Sequence, residues 1–87
     1  MQAAEVVRRV MPVYPELARQ EHISGVVEIE GVVGVDGRIR ELKVKSGHPL
    51  LIRAATDAVA QWLFRPTLLN GEAVEIVQTV VVRFNLQ

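Results

Sequence analysis

Hydrophobic positions along this chain change period several times, and each change marks an element. Across residues 25–35, charged and aliphatic side chains alternate, with Glu28 and Glu30 on one side and Ile29 on the other. A period of two predicts a strand with one buried face. Asp36-Gly37 follows, a pair that favours a two-residue hairpin turn because glycine accepts a positive φ. Residues 38–46 form the return strand. A two-residue turn sets Glu30 opposite Lys43, Glu28 opposite Lys45 and Ile29 opposite Val44. Charges then pair on one face and aliphatics on the other, and a slip of one residue breaks both sets.

After Pro49 the spacing becomes helical. Leu51, Ala55, Ala58 and Trp62 share one face, flanked by Ala54 and Val59, which predicts a helix over residues 49–62. The small alanines let this helix lie close to a sheet, Trp62 fills its far end, and Pro66 bars its continuation. His48, just before Pro49, reads as helix-entry chemistry. Residues 64–69 run extended into Asn70-Gly71, a second hairpin-type turn. Residues 72–86 form a last long strand. Val74, Ile76, Gln78, Val80, Val82, Phe84 and Leu86 line its apolar face, and Glu75, Val77, Thr79, Val81, Arg83 and Asn85 its mixed face. Near the start, Pro12 and Pro15 keep residues 6–13 extended. Pro15 suits the first turn of a short helix over residues 15–21, with Leu17 and Ala18 facing the core. Residues 1–5 are expected to fray.

These elements assemble into an α+β fold with a β-α-β-β-α-β-like order. The second helix must carry the chain back across the sheet. A right-handed crossover then gives a three-stranded antiparallel sheet, order 2-1-3, with both helices on one face. Residues 1–10 form an N-terminal arm and residues 11–87 one domain. The last strand lies at an edge. Its β-branched residues offer main-chain groups to which an extended peptide can add. The other reading is an edge that the protein covers itself, with the arm at residues 6–13 or with a second copy of the chain.

Composition narrows the function. The chain has 87 residues, 49% of them hydrophobic, enough for one small packed domain. Ten basic residues balance ten acidic ones, which argues against nucleic acid and against docking to anionic lipid. There is no cysteine, and no apolar run has the length of a membrane span, so this domain does not insert into a membrane. Two histidines in separate loops do not make a metal site, and no cofactor is implied. Glu28 and Glu30 are spaced like a carboxylate dyad, but facing lysines make them an ion-pair face. Ser46 has no positioned base. Gly31-Val32-Val33-Gly34 matches the GxxG of RNA-binding KH domains, yet strand surrounds it and the net charge is zero, so a bulge or close packing accounts for it. Arg8-Arg9 is too short for a nucleic-acid patch. Trp62 and Phe64 read as core packing at a helix end in preference to a ligand-stacking pair.

One order of motifs remains. Tyr14-Pro15-Glu16-Leu17-Ala18 comes first, then Asp36-Gly37, then Ser46-Gly47-His48-Pro49 before the alanine-rich helix. Trp62-Leu63-Phe64-Arg65-Pro66 closes that helix, and Asn70-Gly71 and Val82-Arg83-Phe84-Asn85-Leu86 follow. From residue 11 to residue 86 this order resembles the C-terminal domain of TonB-type energy transducers. The resemblance implies a non-enzymatic periplasmic domain of a protein anchored in the bacterial inner membrane. It also implies a proton-driven motor of the ExbB/ExbD type, acting through parts of the protein outside this sequence, and outer-membrane transporters for iron chelates, cobalamin or glycans. An excised domain is therefore expected. In such domains the last strand recruits the TonB box, a short N-terminal segment of the transporter. The matching residues are Val80, Val81, Val82, Arg83 and Phe84. A second contact region precedes the Tyr-Pro pair and maps onto Met11, Pro12 and Tyr14. Met11 stands where well-known members carry glutamine, and it cannot make an amide's hydrogen bonds. Leu63 replaces a usual basic residue, and His22 a common glycine. Two other readings stay open. One is a self-associating or sensory periplasmic module of the same fold, including a homodimer. The other is a small ferredoxin-like enzyme, for which the sequence offers no convergent acid, base or anion-binding loop.

Overall fold

The computed structural model describes residues 5–86. In chain order the elements are β1 (Val6–Arg8), α1 (Glu16–Gln20), β2 (Gly25–Val33), β3 (Ile39–Ser46), α2 (Pro49–Val59), β4 (Leu63–Phe64), β5 (Thr67–Leu69), β6 (Glu72–Val74) and β7 (Ile76–Phe84). Of residues 1–5, expected to fray, 1–4 lie outside the described residues, as does the end of the domain at Gln87, whereas Glu5 is tied down, its carbonyl accepting the Arg65 N–H at 2.8 Å.

The fold is α+β. The main sheet is antiparallel and runs β3-β2-β7. Helix α2 lies on all three strands, and α1 touches α2. Ala18 from α1 joins Leu51, Ala55 and Val59 from α2 and Val27, Ile29, Val80, Val82 and Phe84 from the sheet in one core. Among the described residues no helix lies on the opposite face of the sheet, and Val26, Val77 and Val81 stand exposed there. At its start α2 is capped by His48, whose Nδ1 accepts the Leu50 N–H at 3.1 Å, with Pro49 in the first turn.

The β2–β3 hairpin departs from the expected two-residue turn. Gly34 N–H donates to Arg38 O at 2.8 Å and Gly37 N–H to Gly34 O at 3.0 Å, so the loop holds three residues, Val35, Asp36 and Gly37. That loop sets Val33 opposite Ile39, two core residues. Glu41 then supplies one extra residue, with φ 55°, and shifts the register back by one. Ile29 therefore meets Val44 and Glu30 meets Lys43, as the alternation predicted. A second irregularity beyond Ile29 sets Glu28 opposite Ser46 instead of Lys45, and Lys45 lies 3.9 Å from Glu30.

Other boundaries shift for local reasons. Helix α2 ends at Val59, not at Trp62. The N–H groups of Gln61 and Trp62 bond back three residues, to Ala58 O and Val59 O, a tightened turn that swings the indole inward. Helix α1 has five residues, so only Ala18 is buried, and Leu17, expected in the core, is 54% exposed. The last strand breaks at Glu75, whose carboxylate bonds Arg40 across the open face of the sheet. That hydrogen bond raises the Arg40 pKa above its usual value. On the N-terminal side of the break, β6 pairs with β5 around Asn70 and Gly71, both at positive φ, leaving Leu68 and Leu69 exposed on this small hairpin.

Candidate functional site

Strand β7 pairs with β2 residue for residue, from Ile76 opposite Val33 to Phe84 opposite Gly25. Among the described residues no strand pairs with its other side. The direction of its free groups follows from the hairpin. The Gly34–Arg38 bond crosses to β3, and backbone direction alternates along a regular antiparallel strand. Even-numbered residues of β2 thus turn toward β3. Their partners on β7, which are Val77, Thr79, Val81 and Arg83, turn their N–H and C=O groups outward.

The two edges of the sheet differ. Along β3, Arg40, Lys43 and Lys45 are charged and Glu41 bulges, and just before the strand Arg38 bridges to Leu63 of β4, a combination that resists further strand pairing. Along β7 the exposed side chains are Val77, Thr79, Val81 and Arg83. Arg83 is the one charge in the strand, and it has no ion-pair partner among the described residues.

Among the described residues the arm does not cover this edge. Strand β1 pairs instead with β4, Val6 opposite Phe64 and Arg8 opposite Leu63. The next residues are tied down in turn. Val10 O accepts the Trp62 indole N–H at 2.9 Å, and the Arg9 guanidinium lies 5.0 Å from the indole centre. Tyr14 donates its hydroxyl to Ile23 O, and its ring meets Phe84 edge-on, with centroids 5.5 Å apart.

Of the residues the sequence singled out, Val80, Val82 and Phe84 belong to the core, and their N–H and C=O groups turn toward β2, so they hold the strand in place and leave the open groups to their neighbours. Val81 and Arg83 are exposed in side chain and outward in backbone. Tyr14 joins the arm to the end of β7 through Phe84. Pro12 is half-buried, and Met11, 78% exposed, projects into solvent. Met11 and Val13 flank a groove of about 380 Å³ whose other wall is Leu50, Ala54 and Ala58 of α2. Sequence reasoning passed over Gln78. It sits on the core-facing side of β7 and donates from Nε2 to Thr79 O at 2.9 Å. The one signal was a polar residue inside an otherwise apolar alternation. Among the described residues no group of three acidic, histidine or cysteine side chains could hold a metal ion, and no helix is long and apolar enough to cross a membrane.

Residues 10–86 match the family model described as Gram-negative bacterial TonB protein C-terminal. The chain is 34% identical to Protein TonB of Vibrio cholerae serotype O1 over 86 residues, which is 97% of this chain and 35% of that protein. It is 31% identical to Protein TonB of Pseudomonas aeruginosa over 78 residues, 87% of this chain and 23% of that protein. It thus spans about a third or less of the curated relatives it matches. Among solved structures, the solution NMR structure of the Pseudomonas aeruginosa TonB C-terminal domain superposes with a TM-score of 0.79 at 28% identity, covering 100% of this chain and 90% of that one. The TonB2 protein of Vibrio anguillarum superposes with a TM-score of 0.70 at 30% identity, covering 100% of this chain and 85% of that one.

Proposed function

Because this chain belongs to the family of Gram-negative bacterial TonB protein C-terminal domains, we propose that it is the peptide-binding, force-transmitting end of a TonB-like energy transducer. Its partner is the TonB box, an extended N-terminal segment of an outer-membrane transporter. That segment adds to β7, and the domain stands in the periplasm at the far end of a protein anchored in the inner membrane and driven by a proton-powered motor. No turnover is involved.

One observation carries the reading. The sheet has a single pairable edge, at β7, while β3 is bulged and charged and the arm is committed to β4. Affinity comes from outward backbone groups at Val81 and Arg83, because Val80, Val82 and Phe84 are spent on the core. Arg83 favours a partner with a carboxylate nearby, and Tyr14 fixes the end of β7 against which the partner lies. The same edge accepts a second copy of the chain, which is the competing reading.

An NMR titration with N-terminal peptides of outer-membrane transporters from the same cell tests this. Amide shifts concentrated at residues 80–84 and near residues 11–14 are the expected result. Shifts confined to the β2–β3 hairpin, or none with any of these peptides, would overturn the transducer reading. Concentration-dependent broadening of the same β7 amides without peptide would point to the self-pairing module.

A further inference from the structure

On the core-facing side of β7 the order is Ile76, Gln78, Val80, Val82, Phe84, with one polar member. Gln78 stands opposite Gly31 of β2. A Cβ on Gly31 would lie 2.7 Å from Ile39 Cγ1 and 2.8 Å from Leu42 Cδ2, so side chains of β3 already lean over this spot. Gln78 is left half-buried at the rim of the core. Its amide turns along the edge and donates to Thr79 O. Thr79 is one of the residues whose carbonyl points outward, and that carbonyl is an acceptor an added strand needs.

Building on the edge reading above, we propose that Gln78 is a specificity-determining residue that sets where a partner strand stops. With the Gln78 amide already on Thr79 O, an added strand finds donor and acceptor free at Val81 and Arg83 but must compete with that amide at the next acceptor. The segment that fits is therefore short, about five residues alongside residues 80–84. A longer strand meets the Gln78 amide at Thr79 O before it can reach the outward groups of Val77. The same contact blunts the N-terminal half of the edge against pairing with a second copy.

The test compares the wild-type chain with Gln78→Val, which restores the apolar alternation, and Gln78→Met, which keeps the side-chain length but removes the donor. Five- and nine-residue peptides from the N-terminal segments of outer-membrane transporters of the same cell are titrated by calorimetry and by NMR. In the wild type both lengths should bind within about twofold, with shifts at Val81 and Arg83 and little change at Val77 and Thr79. In either variant the nine-residue peptide should bind about threefold to tenfold more tightly, the value of one added hydrogen bond, with shifts reaching Thr79 and Val77. Affinity for the five-residue peptide should stay as it was, and the variants should self-associate at lower concentration than the wild type. Wild-type shifts already running through Thr79 and Val77, with the longer peptide bound more tightly, would overturn the role of Gln78 and leave the edge reading intact. Absence of β7 shifts in all three proteins would overturn both.

Discussion

Trp62 joins the arm, α2 and the core, and its removal is the most informative perturbation of the fold. The indole is 4% exposed, bonds Val10 O at 2.9 Å, and lies 6.3 Å from the Phe64 ring. Trp62→Ala deletes a buried large aromatic, a change that typically costs about 3–5 kcal/mol. A chain of 87 residues has a total stability of roughly 4–13 kcal/mol, so the loss takes between a quarter and all of it. Trp62→Phe separates the contributions. Most of the apolar surface stays, one hydrogen bond goes, and the site is slightly underfilled, for a cost of about 1–2 kcal/mol. Urea unfolding followed by far-UV circular dichroism measures both, because Trp62 is the single tryptophan and carries the fluorescence away with it. The arm has its own reporter, since the Arg65 N–H donates to Glu5 O at 2.8 Å. In Trp62→Phe that amide should exchange with solvent faster while the amides of β2 do not. A Trp62→Ala midpoint and slope equal to the wild type would refute the reasoning, as would equal losses in the two variants.

Two further substitutions probe the turns that position the sheet. Gly37 sits at φ 84°, and a Cβ there would lie 2.2 Å from Phe64 O, so Gly37→Ala should lower stability by at least about 2 kcal/mol, read as a fall in melting temperature. His48→Ala removes the cap of α2 and should cost about 1 kcal/mol in urea unfolding, whereas His48→Asn should recover most of it.

The architecture was legible because its signals were redundant. Alternation over residues 25–46, helical spacing after Pro49 and a proline stop at Pro66 all agreed, and the family resemblance rested on motifs spread along the chain. The hairpin loop was misread from the Asp36-Gly37 pair alone. The correcting signal lay in Ile39-Arg40-Glu41-Leu42, where two polar residues separate core positions that a regular strand would place two apart. An extra residue had to sit there, and a three-residue loop is the turn that then brings Ile39 to Val33. Leu17 was misplaced because a five-residue helix buries too narrow a stripe for both Leu17 and Ala18. At the site, apolar alternation along β7 identified the strand but not which of its residues are spent on the core. The arm's attachment had no sequence signal, because it depends on the pairing of Val6 with Phe64 and on the Val10 carbonyl and the Trp62 indole, 52 residues apart.

The bulge at Glu41 limits how many neighbours the domain can hold. A sheet with one pairable edge has a valence of one: it accepts a single strand and is then saturated. Were β3 as straight as β7, the same sheet would have a valence of two, and copies could add at both ends into an open filament. On the edge reading proposed above, one left-handed residue on the far side of the sheet, beside the Arg38–Leu63 bridge, makes the domain a chain terminator instead of a repeating unit.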